Sequence, residues 1–129
     1  MTEKSSEVFS EKVICEIPIK LPSLNDYIRA CRANKFAGSQ MKKKTEHDIS
    51  VFIRKLPKFD KPVSISFLWI EDNARRDLDN IAFAKKFILD ALVSNGKLKD
   101  DNRKHVTAFS DSFEYRKQAG VILTIREDT

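Results

Sequence analysis

The chain has 129 residues, 41% hydrophobic and 33% charged, with only 3 Gly and 4 Pro. That size allows one compact domain with a real core, and the composition excludes low-complexity disorder and a turn-rich sandwich. The formal net charge of +5 suits a polyanionic partner, nucleic acid before membrane, because Lys and Arg gain affinity by releasing phosphate counterions. Solubility alone would also explain a charge of that size.

Residues 1–11 are polar and read as a flexible leader, which leaves 12–129 as the domain. They lack the apolar run of a secretory signal. No stretch approaches the ~20 apolar residues of a membrane helix, so a cytoplasmic setting without membrane contact is expected. Cys15 and Cys31 are separated and without a CxxC motif, which predicts buried thiols and not a disulfide or zinc site.

In chain order, Val13–Ile19 alternates as a first strand, and residues 21–40 read as a long irregular loop. Within 41–56, Ile49, Phe52, Ile53 and Leu56 fall at helical spacing behind a lysine run. Lysines at a helix N-terminus oppose the dipole, so phosphate contact would account for their placement. Val63–Ile70 is the strongest strand, with Val63, Ile65, Phe67 and Trp69 on one face. A helix is expected from the DLDN run (77–80) to Asn95-Gly96, then a polar loop, then strands over 105–109 and 119–125. The order predicts an α+β fold: a single small domain with a mixed sheet packed against two helices.

The chemistry concentrates in Arg75-Arg76-Asp77-Leu78-Asp79-Asn80, between a strand and a helix. Two carboxylates at i and i+2 suit Mg²⁺, which takes one or two carboxylates plus water and substrate phosphate. Such a metal activates water or stabilises a leaving oxygen in phosphodiester cleavage. The alternative is a helix N-cap, an ordinary place for Asp. Lys86, two turns after Asp79, would lean back toward the carboxylates, and Lys85 beside it competes for that role. Asp101, in the Asp100-Asp101 turn, is a candidate third carboxylate. A straight helix from Asp79 to residue 94 advances roughly 22 Å, so return within one chain is barely possible. If the helix is that long and straight, Asp101 approaches the Asp77/Asp79 pair of a second subunit, and action within its own chain stays the alternative. Asp90 falls too far along that helix to join the metal site.

Basic side chains between residues 29 and 58 favour a DNA-backbone surface, led by Arg29, Arg32, Lys35, Lys42, Lys43 and Lys44, with Arg75 and Arg76 beside the acidic pair. Phe36 in that stretch is a candidate wedge. Trp69 and the other phenylalanines read as core, and His47 and His105 as surface or packing residues.

DLDN, then Lys86, LDAL (89–92), Gly96 and Asp100-Asp101, resembles the RusA family of Holliday-junction resolvases. LPSLNDYIRA (21–30) and the terminal VILTIRE (121–127) are similar as well, so the likeness runs over about residues 13–127. It implies a homodimeric, Mg²⁺-dependent crossover junction endodeoxyribonuclease, with Mn²⁺ as an alternative ion. The implied substrate is four-way or branched DNA in recombination and repair, and the implied site is Asp77, Asp79, Asp101 and Lys86. The family's occurrence in prophages implies a phage role. The stretch between DLDN and LDAL is about one helical turn longer here than in better-known members. Lys86 is therefore matched through KFILDAL and not by its distance from DLDN. A branched-DNA-binding module that does not cut is the alternative from another class.

Overall fold

A computed structural model describes residues 12–128; the leader expected over 1–11 lies outside them. Four strands and four helical segments follow one another as β1 (Lys12–Ile17), α1 (Leu24–Ala33), α2 (Ala37–Ile53), β2 (Val63–Glu71), α3 (Leu78–Ala82), α4 (Lys85–Ser94), β3 (Val106–Tyr115) and β4 (Gly120–Glu127). The expected small α+β domain with a mixed sheet is what forms. The strand order is β1-β4-β2-β3. β4 lies antiparallel between β1 and β2, while β2 and β3 run parallel through the α3–α4 crossover.

The alternation of β2 sends Val63, Ile65, Phe67 and Trp69 into the core, where they meet Val121, Leu123 and Ile125 of β4 and Cys15 and Ile17 of β1. α2 and α4 close this face with Ile49, Ile53, Phe87, Ile88 and Leu92. On the opposite face stand Ile14, Ser66, Thr124 and Arg126, exposed or half-buried. Burial pushes the Cys15 thiol up. Cys31, expected to be buried, is exposed on α1.

Several expectations need correction. The 21–40 loop is mostly helix, since α1 occupies Leu24–Ala33 and α2 begins at Ala37. Its start is fixed by a capping box. Ser23 Oγ accepts from the Asp26 backbone N–H at 3.1 Å, and an Asp26 carboxylate oxygen accepts from the Ser23 N–H at 2.9 Å. Asn34 then interrupts the helix, its side-chain oxygen accepting from the N–H groups of Phe36 and Ala37 and so starting α2. The lysine run consequently sits inside α2 and not at its N-terminus.

The single helix expected after DLDN divides at Phe83–Ala84, where i→i+3 bonds replace the α-helical pattern. Tyr27 of α1 packs on Phe83 and Phe87 there, with ring centroids 5.6 and 6.1 Å away. The described residues therefore form four helical segments where two helices were expected, and α2 and α4 are the two that close the inner face of the sheet. β3 also runs on to Tyr115, well past the expected end at 109.

Candidate functional site

β2 ends at Glu71, which is buried at 5% exposure. Arg76 comes back to it, its Nε 3.0 Å from Oε1 and its Nη2 3.2 Å from Oε2. The first contact is close as an ion pair but off the hydrogen-bonding line, since both atoms lack an aligned partner. Arg76 Nη1 donates to the Leu21 carbonyl at 3.0 Å, so its donors point inward and tie the junction to the chain before α1. Lys20 and Asp72 close the same connection at 2.7 Å.

Beyond Arg76 the DLDN run turns into α3. Asp77 occupies the N-cap position, with extended backbone, yet its side chain makes no capping bond. Asp79 is in the first turn, and its Oδ1 accepts only the neighbouring Asn80 N–H at 3.0 Å. Both aspartates are exposed. Asn80 is half-buried and its side-chain oxygen accepts from the Asn25 N–H at 3.1 Å, docking α3 against α1. Ser23, Asp26, Asn25 and Asn80 thus hold the acidic pair in place; the S-x-x-D capping signature at 23–26 was legible in the sequence.

Lys85 and Lys86 part company. Lys85 lies over the sheet, 2.9 Å from Asp111 and 5.1 and 4.6 Å from the ring centroids of Phe67 and Phe109. Lys86 faces the other way, 3.2 Å from Asp90 and 3.4 Å from Asp101. Asp90 also receives Lys42 of α2 at 3.2 Å. The result is a ladder Lys42–Asp90–Lys86–Asp101 that joins α2, α4 and the loop before β3. Its contact with Asp90, opposed by desolvation and reinforced by the charges of Asp90 and Asp101, holds the Lys86 ammonium above the ordinary lysine range. Burial and the Asp90 charge push the Glu46 carboxyl up. The i,i+4 spacing of Lys86 and Asp90 was readable in advance, but what Asp90 meets on α2 was not.

Asp101 therefore returns along α4 as far as Lys86 within one chain. Even so, among the described residues no group of three or more His, Cys, Asp or Glu side chains is placed to hold a metal ion. The exposed pair Asp77 and Asp79, with hard oxygens not spent on capping, fits a cation that draws its remaining ligands from water and substrate. A three-carboxylate set inside one protomer does not fit.

The residues of the expected basic surface are mostly exposed, and some are paired within the chain. Arg29, Arg32, Lys35, Lys43, Lys44 and Arg75 are exposed, and Arg29 makes only a long 3.4 Å contact with Asp26. Lys42 is spent on Asp90 and Lys44 pairs with Asp48 at 2.9 Å. Phe36 is 62% exposed, beside Lys35. A surface cavity of about 590 Å³ is lined by Lys20, Leu21, Asp26, Arg29, Met41 and Arg76. His47 is exposed, and the half-buried His105 meets the Asn102 side chain at 2.9 Å. Among the described residues no helix is long and apolar enough to cross a membrane.

No family model matches the chain, and no curated protein matches it. Among solved structures it is similar to the periplasmic domain of Helicobacter pylori MotB, at 19% identity and a TM-score of 0.38, over 95% of this chain and 88% of that one.

Proposed function

We propose that the chain is a RusA-like, divalent-metal-dependent endonuclease that acts as a homodimer on four-way or branched DNA in a cytoplasmic setting. The observation that carries this reading is the state of Asp77 and Asp79. Both carboxylates stand exposed at a strand-to-helix junction, and the one in the N-cap position makes no capping bond. Asp77 and Asp79 would hold Mg²⁺ or Mn²⁺, and the ion would supply an activated water and charge stabilisation at the scissile phosphate.

The chain's own groups divide the remaining work. Arg29, Arg32, Lys35, Lys43 and Arg75 attract the phosphate backbone, and their exposure leaves them open to it. Lys86, kept charged by Asp90, places a fixed ammonium beside Asp101. Asp101 joins the acidic pair of the partner subunit in this reading, because within its own protomer it is engaged by Lys86. Two such sites about a two-fold axis match the symmetry of a four-way junction.

The test is a labelled four-way junction and a matched duplex incubated with and without Mg²⁺. Symmetric, metal-dependent nicks on the junction that disappear with Asp79→Asn support the nuclease. Mixing Asp79→Asn with Asp101→Asn subunits then reports on the shared site. A composite site recovers one intact centre in the mixed dimer, whereas a site within one chain stays dead.

A second reading has its own observation: the described residues of one protomer gather no three-carboxylate group. A branched-DNA-binding module that does not cut would need none. It predicts junction affinity that survives Asp77→Asn and no strand scission with any divalent ion.

A further inference from the structure

β3 is an edge strand, hydrogen-bonded among the described residues to β2 alone. Of its ten residues, Val106 is buried and Phe113 half-buried, and the rest are exposed. The opposite edge is guarded in the usual ways: β1 has six residues, carries Lys12 and Glu16, and runs into Pro18. β3 has no Lys, Arg, Pro or Gly along its length. Its two acids are already satisfied within the chain. Asp111 pairs with Lys85 at 2.9 Å and accepts from Trp69 Nε1 at 2.8 Å, and Glu114 pairs with Arg116 at 2.7 Å. An unguarded edge of this length is a template for another strand.

The sequence of the strand identifies that other strand. Phe109-Ser110-Asp111-Ser112-Phe113 reads the same in both directions. Antiparallel pairing about a two-fold axis at Asp111 sets Phe109 opposite a second copy's Phe113, and Ser110 opposite its Ser112. Each match occurs twice, as aromatic pairs on the helix-covered side and hydroxyl pairs on the open side. At the axis the two Asp111 carboxylates are each accompanied by their own Lys85, so the centre carries no net charge. A partner of different sequence would share none of this self-complementarity.

We propose that β3 is the surface on which a second copy of this chain docks, giving a continuous eight-strand sheet with the helices of both copies on one side. This names the contact surface of the dimer in the preceding reading and rests on that reading only in taking two copies together.

Light scattering on the eluting full chain is expected to give twice the 14.9 kDa chain mass. Ser110→Lys with Ser112→Lys sets lysines against each other across the axis and is expected to halve that mass, with the circular dichroism and melting temperature retained. Ser110→Lys with Ser112→Glu replaces repulsion by attraction at the same positions and is expected to restore the dimer. A monomeric parent protein overturns the proposal. So does a dimer that survives the double lysine change, although a dimer through another surface leaves the nuclease reading standing. Loss of the dimer in both variants also overturns it, because the register demands the rescue. Should the variants unfold, hydrogen exchange on the parent decides: β3 amides must gain protection as concentration rises, and concentration-independent exchange refutes the pairing. Junction cleavage is scored separately, so either idea can fail alone.

Discussion

The half-buried Arg76 and the buried Glu71 form an ion pair at the end of β2, the guanidinium Nε 3.0 Å and Nη2 3.2 Å from the two carboxylate oxygens. The pair fixes the exit of the chain from β2 and thereby the position of Asp77, one residue beyond Arg76. Its value is positional, since desolvating two charges cancels much of their attraction.

Removing Arg76 strands the buried Glu71 carboxylate, so Arg76→Met is expected to cost about 3–5 kcal/mol, read from urea unfolding midpoints. Glu71→Gln should cost less, because the half-buried Arg76 keeps the Leu21 carbonyl and Asp26. The double substitution should recover a good part of that loss, because no lone charge remains. Strictly additive losses would show that the two residues act independently.

Asp77→Asn separates the two roles open to an N-cap aspartate. With no capping bond to lose, stability should shift by less than about 0.5 kcal/mol. A helix cap would cost about 0.5–2 kcal/mol. Metal-dependent nicking of a junction should meanwhile vanish.

Lys85 and Lys86 should fail in different ways. Lys85→Met removes a contact with Asp111 and two aromatic rings, so it should lower the melting temperature by several degrees. Lys86→Met should leave the melting temperature nearly unchanged, speed hydrogen exchange over residues 97–104, and reduce cleavage. A reversed pattern would make Lys85 the functional lysine.

Asp26 and Glu46 give opposite pH dependences. Bonding to the Ser23 N–H, together with the charges of Arg76 and Arg29, holds Asp26 below the usual aspartate value of 3.8. Its stabilisation is therefore full above that value and is lost as pH falls through the lower folded value. Denaturation at pH 3 and pH 7 should show a smaller difference in Asp26→Asn than in the parent. Burial and Asp90 raise Glu46 above 4.5, so stability is full below that value and is lost as pH rises through the folded value. Glu46→Gln should stabilise at pH 7, by about a few tenths of a kcal/mol for a half-buried group, and should be neutral at pH 4.

Much of the frame was legible from local pattern. The alternation over 63–70 places β2 correctly, and the polar run after Gly96 marks the turn before β3. α1 is hard to read from sequence because Asn, Arg and small residues dilute its apolar pattern, although the Ser23–Asp26 box announces its start. The break at Phe83–Ala84 has no local signal, since Ala-Lys-Lys is good helix sequence; Tyr27 packing against both phenylalanines accompanies it. The acidic pair was readable because both members belong to one short run. The ladder through Asp90 was not, because Lys42 reaches it from another helix. The full length of β3 is hidden in the sequence because exposed Ser and Asp obscure strand periodicity at an edge.

The placement of β4 bears on how the chain acquires its fold. Among the described residues β4 alone joins β1 to β2, pairing Lys12 with Arg126 on one side and Val63 with Glu127 on the other. Until that segment has left the ribosomal tunnel, the N-terminal strand has no neighbour in the sheet. Nascent protein is therefore expected to complete its fold late, by long-range pairing with a high contact order, while local helices form early. The open edges exposed in that interval are templates for pairing between chains during synthesis.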